Sequence, residues 1–105
     1  MAEEAQPVVW TYAARADLLE ALEYLVEKSP DASAAFLADV EKLAASLAQF
    51  PHRGAVVEEL EFENLRQVFV GRYRLVYRVE KGGVAVLRLI HGRRDFRDAW
   101  RKRPT

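Results

Sequence analysis

The chain has 105 residues, half of them hydrophobic and a tenth aromatic, which suits one domain with a real core and excludes a largely disordered polypeptide. The absence of cysteine excludes disulfide frameworks, thiolate chemistry and cysteine zinc sites. The formal charge of zero hides an asymmetry: residues 1–65 carry 13 acidic and 4 basic side chains, a net of −9, and residues 66–105 carry 3 acidic and 12 basic, a net of +9.

No apolar run approaches the ~18 residues of a membrane span, and the acidic start (Glu3, Glu4) is unlike a signal peptide. A cytoplasmic protein with no membrane partner is expected. The charge split has two readings. Either acidic helices balance a basic sheet within the molecule, or the C-terminal part offers a cationic surface to an anionic partner.

In chain order, residues 1–6 read as a tail. The stretch "PVVWTY" (7–12) is a short β-prone run, and Thr11 can cap a helix that starts at Tyr12 or Ala13. Leu18, Leu22 and Leu25 follow helical spacing there, with Leu19 and Val26 widening the stripe. Ser29, Pro30 and Asp31 then supply an N-cap, a first-turn proline and a dipole-matched acid for a second helix. That helix carries Phe36, Val40, Leu43, Leu47 and Phe50 on one stripe and ends at Pro51. So short a link predicts an antiparallel hairpin of helices.

The period then changes. "LRQVFVG" (65–71), "YRLVYRV" (73–79) and "GVAVLRLIH" (83–91) read as strands, joined at Gly71-Arg72 and at Gly82-Gly83 into an antiparallel meander. Residues 55–64 are open between edge strand and loop. Beyond Gly92 the chain has room for one helical turn, and residues 97–105 read as a second tail. The order β-α-α-β-β-β predicts a single α+β domain, with the helical hairpin packed on one face of a mainly antiparallel sheet.

Strict alternation puts Tyr73, Leu75, Tyr77 and Val79 toward the helices, together with Phe69, Leu87 and Leu89. The opposite face then carries Arg66, Val68, Val70, Arg74, Val76, Arg78, Val86, Arg88 and Ile90. An apolar floor interleaved with arginines and free of acids is expected to be an exposed docking surface for nucleic acid or an acidic, amphipathic peptide. The plainer reading is that arginine stems cover the valines.

His91 ends the third strand on the side of Leu89. It is either a structural histidine or a general acid or base beside Arg93 and Arg94. Those two arginines follow Gly92 and can clamp an anion, pair with Asp95 or Asp98, or simply remain in solvent. Trp100 reads as a core anchor or a stacking platform, Trp10 as core and His52 as exposed. The two histidines lack metal-ligand spacing, so no metal and no cofactor is expected.

Five stretches carry a resemblance: "WTYAARADLLEALEYL", "SPDAS", "FPHRG", "YRLVYRV" and "VLRLIHGRRD". Together they resemble the RelE/ParE superfamily of type II toxin–antitoxin toxins over roughly residues 8–96. The resemblance implies a helical hairpin on an antiparallel sheet and a cognate antitoxin whose partly disordered segment folds on the toxin. It also implies one of two targets. ParE-like members inhibit DNA gyrase; RelE-like members cut mRNA on the ribosome.

Arg74 and Arg94 match positions where the ribonucleases place arginines, which makes Arg74, Arg94 and His91 the candidate catalytic set of that branch. Trp100 stands nearest to where those enzymes keep a proton-carrying tyrosine or histidine. His52 and Arg53 stand where many keep a pair of lysines. These departures imply a ParE-like toxin of the plasmid-stabilisation type that binds gyrase. Its target- or antitoxin-binding residues would be Arg66, Val68, Val70, Arg74, Val76, Arg78, Arg88, Ile90, Arg93, Arg94 and Trp100. A ribosome-dependent endonuclease is the alternative, and an inactive binding module a further one.

Overall fold

A computed structural model describes residues 7–102, apart from the side chains of residues 61–63. The expected tails at 1–6 and 103–105 lie outside the described residues. Thr11 starts helix α1 (Tyr12–Lys28), its hydroxyl accepting the Ala14 N–H at 3.2 Å. Ser29 then ends one helix and begins the next. Its N–H donates to the Leu25 carbonyl, and its hydroxyl accepts from Ala32 N–H at the head of α2 (Pro30–Gln49). With a single residue between them, the helices fold back on each other.

Strands β1 (Val8–Trp10), β2 (Ala55–Val56), β3 (Arg66–Val70), β4 (Tyr73–Glu80) and β5 (Gly83–His91) form one sheet in the order β1-β5-β4-β3-β2. β1 runs parallel to β5; the other neighbours are antiparallel. The open segment 55–64 is both things at once. Two residues pair with β3, and a 3-10 helix (Glu58–Glu63), broken at Leu60, carries the chain to Asn64 in the left-handed region. No helix among the described residues is long and apolar enough to cross a membrane.

The helices cover one sheet face, where Phe36, Val40, Leu47, Leu75, Tyr77 and Leu89 form the larger core. Three details correct the expected faces. The two-residue turn Gly71-Arg72, with Gly71 at φ 56°, pairs Val70 with Tyr73, so Arg66, Val68 and Val70 lie on the helix side and Phe69 is exposed on the other. A bulge in β5 leaves Leu87 without a partner, since Tyr77 pairs with Val86 and Val76 with Arg88. The bulge shifts the alternation by one, so Val86 joins Leu89 in the helix-side core and Leu87 leaves it. Leu19, Val26 and Phe50, expected on buried stripes, are exposed.

The third correction concerns the opposite face. Residues 96–101, read as mostly tail, form helix α3 (Phe96–Arg101), which Asp95 caps by accepting the Asp98 N–H. This helix and the 3-10 segment close over the sheet. Val76 is 0% exposed and Ile90 2%, in a second core with Val57, Leu65, Phe96 and Ala99. The centre of the expected docking face is interior, while Phe69 and Arg78 on the same side remain exposed.

Candidate functional site

Beyond Trp10, β1 gives way to α1, and β5 would be left with an open edge. Side chains of the α1 region replace the missing strand. Thr11 Oγ1 donates to the Leu87 carbonyl at 3.1 Å, and Asp17 Oδ2 accepts the Leu89 N–H at 2.9 Å. Asp17 also takes Arg88 in two places, Nε at 2.7 Å and Nη2 at 3.1 Å. The remaining guanidinium nitrogen, Nη1, donates to the carbonyls of Ala99 (2.9 Å), Trp100 (3.3 Å) and Lys102 (2.9 Å). Those are end-of-helix carbonyls that α3 cannot satisfy itself. Arg88, 7% exposed, therefore ties α1 to α3 around the edge of the sheet.

Arg74 is also engaged. Its Nη1 meets both carboxylate oxygens of Glu59 at 3.1 Å, and its guanidinium lies over the Phe96 ring, 4.4 Å from the centroid. Burial pushes the Glu59 pKa up. Hydrogen bonds from the backbone and from Arg74, with the charges of Arg74 and Arg97, outweigh it and hold the group below the usual glutamate value. A depressed carboxylate contributes stability above its unfolded pKa and loses it as pH falls through the folded one. An NMR titration is expected to put the Glu59 midpoint below that of an exposed glutamate, and Arg74→Ala to raise it.

Among the other expected site residues, Arg66 donates to the carbonyls of Gly54 (2.7 Å) and His52 (3.3 Å). Arg78 is exposed and paired with Glu80 at 3.2 Å. Val68 and Val70 pack in the helix-side core, and Trp100 stacks on Phe96 with centroids 5.8 Å apart. Trp10 packs against the helix-side core, and His52 is exposed.

His91, Arg93 and Arg94 do come together. They line a cleft of about 300 Å³ between α1 and the end of β5, with Asp17, Glu20, Tyr24 and Tyr73. His91 Nδ1 accepts the Arg93 N–H at 3.1 Å, and its ring meets Tyr73 edge-on with centroids 5.0 Å apart. Burial raises the Tyr73 pKa, with Tyr24 and Glu20 adding to it, so the phenol stays protonated. Arg74 is not part of this cleft. It pairs across the sheet with Ile90, whereas Tyr73 pairs with His91, so the two candidate catalytic groups point to opposite faces. No group of three His, Asp or Glu able to hold a metal ion occurs among the described residues.

Sequence reasoning missed Asp17, Glu20, Tyr24 and Glu59. Asp17 had a signal: it lies three residues after Ala14 and four before Ala21, on the inward stripe of α1, where an acid needs a partner. Glu59 had none, because its segment follows neither period.

The comparisons with known proteins agree with this architecture. The family model described as the ParE toxin of the type II toxin–antitoxin system, parDE, matches residues 8–96. The chain is 36% identical over 88 residues to "Toxin RelE2" of Caulobacter vibrioides, covering 83% of this chain and 96% of that protein. The structure titled chromosomal ParDE TA system from P. aeruginosa superposes with a TM-score of 0.68 at 22% identity, over 85% of this chain and 98% of that one. That of the toxin–antitoxin complex RelBE2 from Mycobacterium tuberculosis gives 0.60 at 30% identity, over 83% and 98%. With the family model spanning both the helical hairpin and the whole sheet, this chain belongs to the ParE toxin family of type II toxin–antitoxin systems.

Proposed function

We propose that this toxin arrests growth by binding DNA gyrase in the cytoplasm, as part of a plasmid-stabilisation system, and that a cognate antitoxin neutralises it. The separation of Arg74 from His91 carries this reading. Phosphodiester cleavage needs an acid or base and charge-stabilising donors converging on one phosphate. Here Arg74, one of the two matched arginines, is spent on Glu59 and Phe96 on one sheet face, so that the cleft on the other holds His91 with Arg93 and Arg94 but not the full matched set. Trp100, at the position nearest the ribonucleases' proton carrier, stacks on Phe96. Binding requires no such convergence.

With the centre of the valine-and-arginine face covered, the antitoxin docks on the helical hairpin. Tyr12, Leu19 and Val26 recur every seven residues along the outside of α1 and are all exposed, Leu19 at 61%. Glu20, Glu23 and Glu27 accompany them, so an amphipathic antitoxin segment with basic residues fits.

The second reading is a ribosome-dependent mRNA endonuclease built on His91 and Arg94. The 36% identity to a protein named Toxin RelE2 favours it. One paired assay separates the two: purified toxin added to gyrase supercoiling, and to translating ribosomes with the mRNA ends mapped. Inhibited supercoiling with intact mRNA is the expected result. Cut mRNA with normal supercoiling selects the endonuclease, and inactivity in both selects an inert binding module.

A further inference from the structure

The arginines that follow Gly92 are held in a built arrangement. Gly92 N–H donates to the Arg72 carbonyl at 2.7 Å, which fastens the loop after β5 to the turn between β3 and β4. The approach is close enough that a Cβ on Gly92 would sit 3.1 Å from that carbonyl oxygen. Within the loop, Arg94 N–H donates to the His91 carbonyl and Arg93 N–H to His91 Nδ1, both at 3.1 Å. Two turns thus bring Arg72, Arg93 and Arg94 to one end of the sheet, all three exposed.

Glu20 shares the cleft with Arg93 and Arg94 but makes no ion pair with them. No carboxylate lies within ion-pair distance of any of the three among the described residues. The neighbouring acid, Asp95, caps α3. Asp17 in the adjoining cleft is taken by Arg88. By contrast Arg66, Arg74, Arg78 and Arg88 each have a carbonyl or carboxylate partner. Folding therefore engages four of the ten arginines in residues 66–105, and of the others these three are the ones grouped at one end of the sheet on tethered backbone.

We infer that Arg72, Arg93 and Arg94 form a rim that seats on the phosphate backbone of duplex DNA. Guanidinium forks match phosphate oxygens in pairs, and a duplex carries one phosphate on each strand per ~3.4 Å of helix axis, so a group of neighbouring arginines meets several phosphates together. The choice of DNA as the source of phosphate rests on the gyrase reading, because gyrase works with duplex DNA bound to it. The toxin would then grip the enzyme–DNA complex partly through the DNA. The contact is to backbone and carries no base preference.

The test uses the full chain and a short fluorescein-labelled duplex, followed by anisotropy across salt without gyrase present. Three phosphate contacts predict a slope of log K against log salt near −2.7, or roughly a 40-fold loss of affinity from about 50 to 200 mM salt. The triple variant Arg72→Ala/Arg93→Ala/Arg94→Ala, checked as folded by circular dichroism, is expected to flatten that slope. Arg15→Ala, an exposed arginine on α1, is expected to keep it. A flat slope for the unaltered toxin, an unchanged slope for the triple variant, or tighter binding to single-stranded RNA overturns the inference. Inhibited supercoiling without DNA binding sinks this inference alone; DNA binding without inhibition sinks the gyrase reading alone.

Discussion

Replacing Asp17 by alanine is expected to lower the unfolding free energy by about 3–5 kcal/mol, the cost of leaving one member of a buried ion pair alone. The carboxylate accepts from Arg88 Nε, Arg88 Nη2 and the Leu89 N–H, so the variant strands a charge and a backbone donor together. A domain of this size has a total stability of only about 5–15 kcal/mol, so the loss should be plain in urea melts and as a fall of ~12 °C or more in Tm. The guanidinium, once freed from Asp17, also grips the carbonyls of Ala99, Trp100 and Lys102 less firmly. Amide exchange in α3 is therefore expected to rise more than in α2. The double variant Asp17→Leu/Arg88→Met removes both charges and should recover part of the loss. A single Asp17→Ala variant as stable as the parent would show that the pair is not what holds the β5 edge.

The second large effect lies on the sealed sheet face. Ile90→Ala is expected to cost about 2–5 kcal/mol, because the side chain sits in a closed core with Val76, Val57, Leu65 and Phe96. Leu19→Ala, on the exposed stripe of α1, should stay within about 0.5 kcal/mol while weakening antitoxin binding. The contrast separates interior from docking surface directly. If Ile90→Ala left the melt unchanged but abolished partner binding, the face would be a surface after all, and α3 would not be covering it.

Arg74 and Arg88 show why the face was misread from sequence. Each sits on a strand among valines, where an arginine usually sends its stem along apolar surface and its head to water. Both heads instead find carboxylates: Glu59, from a segment of neither helical nor strand period, and Asp17, 71 residues away. The cleft is a middle case. Arg93 and Arg94 after a turning glycine suggested an anion site. That Glu20, Tyr24 and Tyr73 wall it depends on how α1 crosses β5.

The helical hairpin, the two tight turns, the strands they join and the division of charge were all readable along the chain. Caps, turn glycines and hydrophobic period are made by residues a few positions apart, and they act whatever the rest of the molecule does. The burial of Val76 and Ile90, the bulge that moves Val86 across the sheet, and the Asp17–Arg88 tie came only with folding. A strand's inward face is a sum of parities. One bulge or one two-residue turn reverses everything beyond it. Whether an arginine among valines is surface or interior is decided by a short helix and a distant carboxylate that reach it only when the whole sheet has formed.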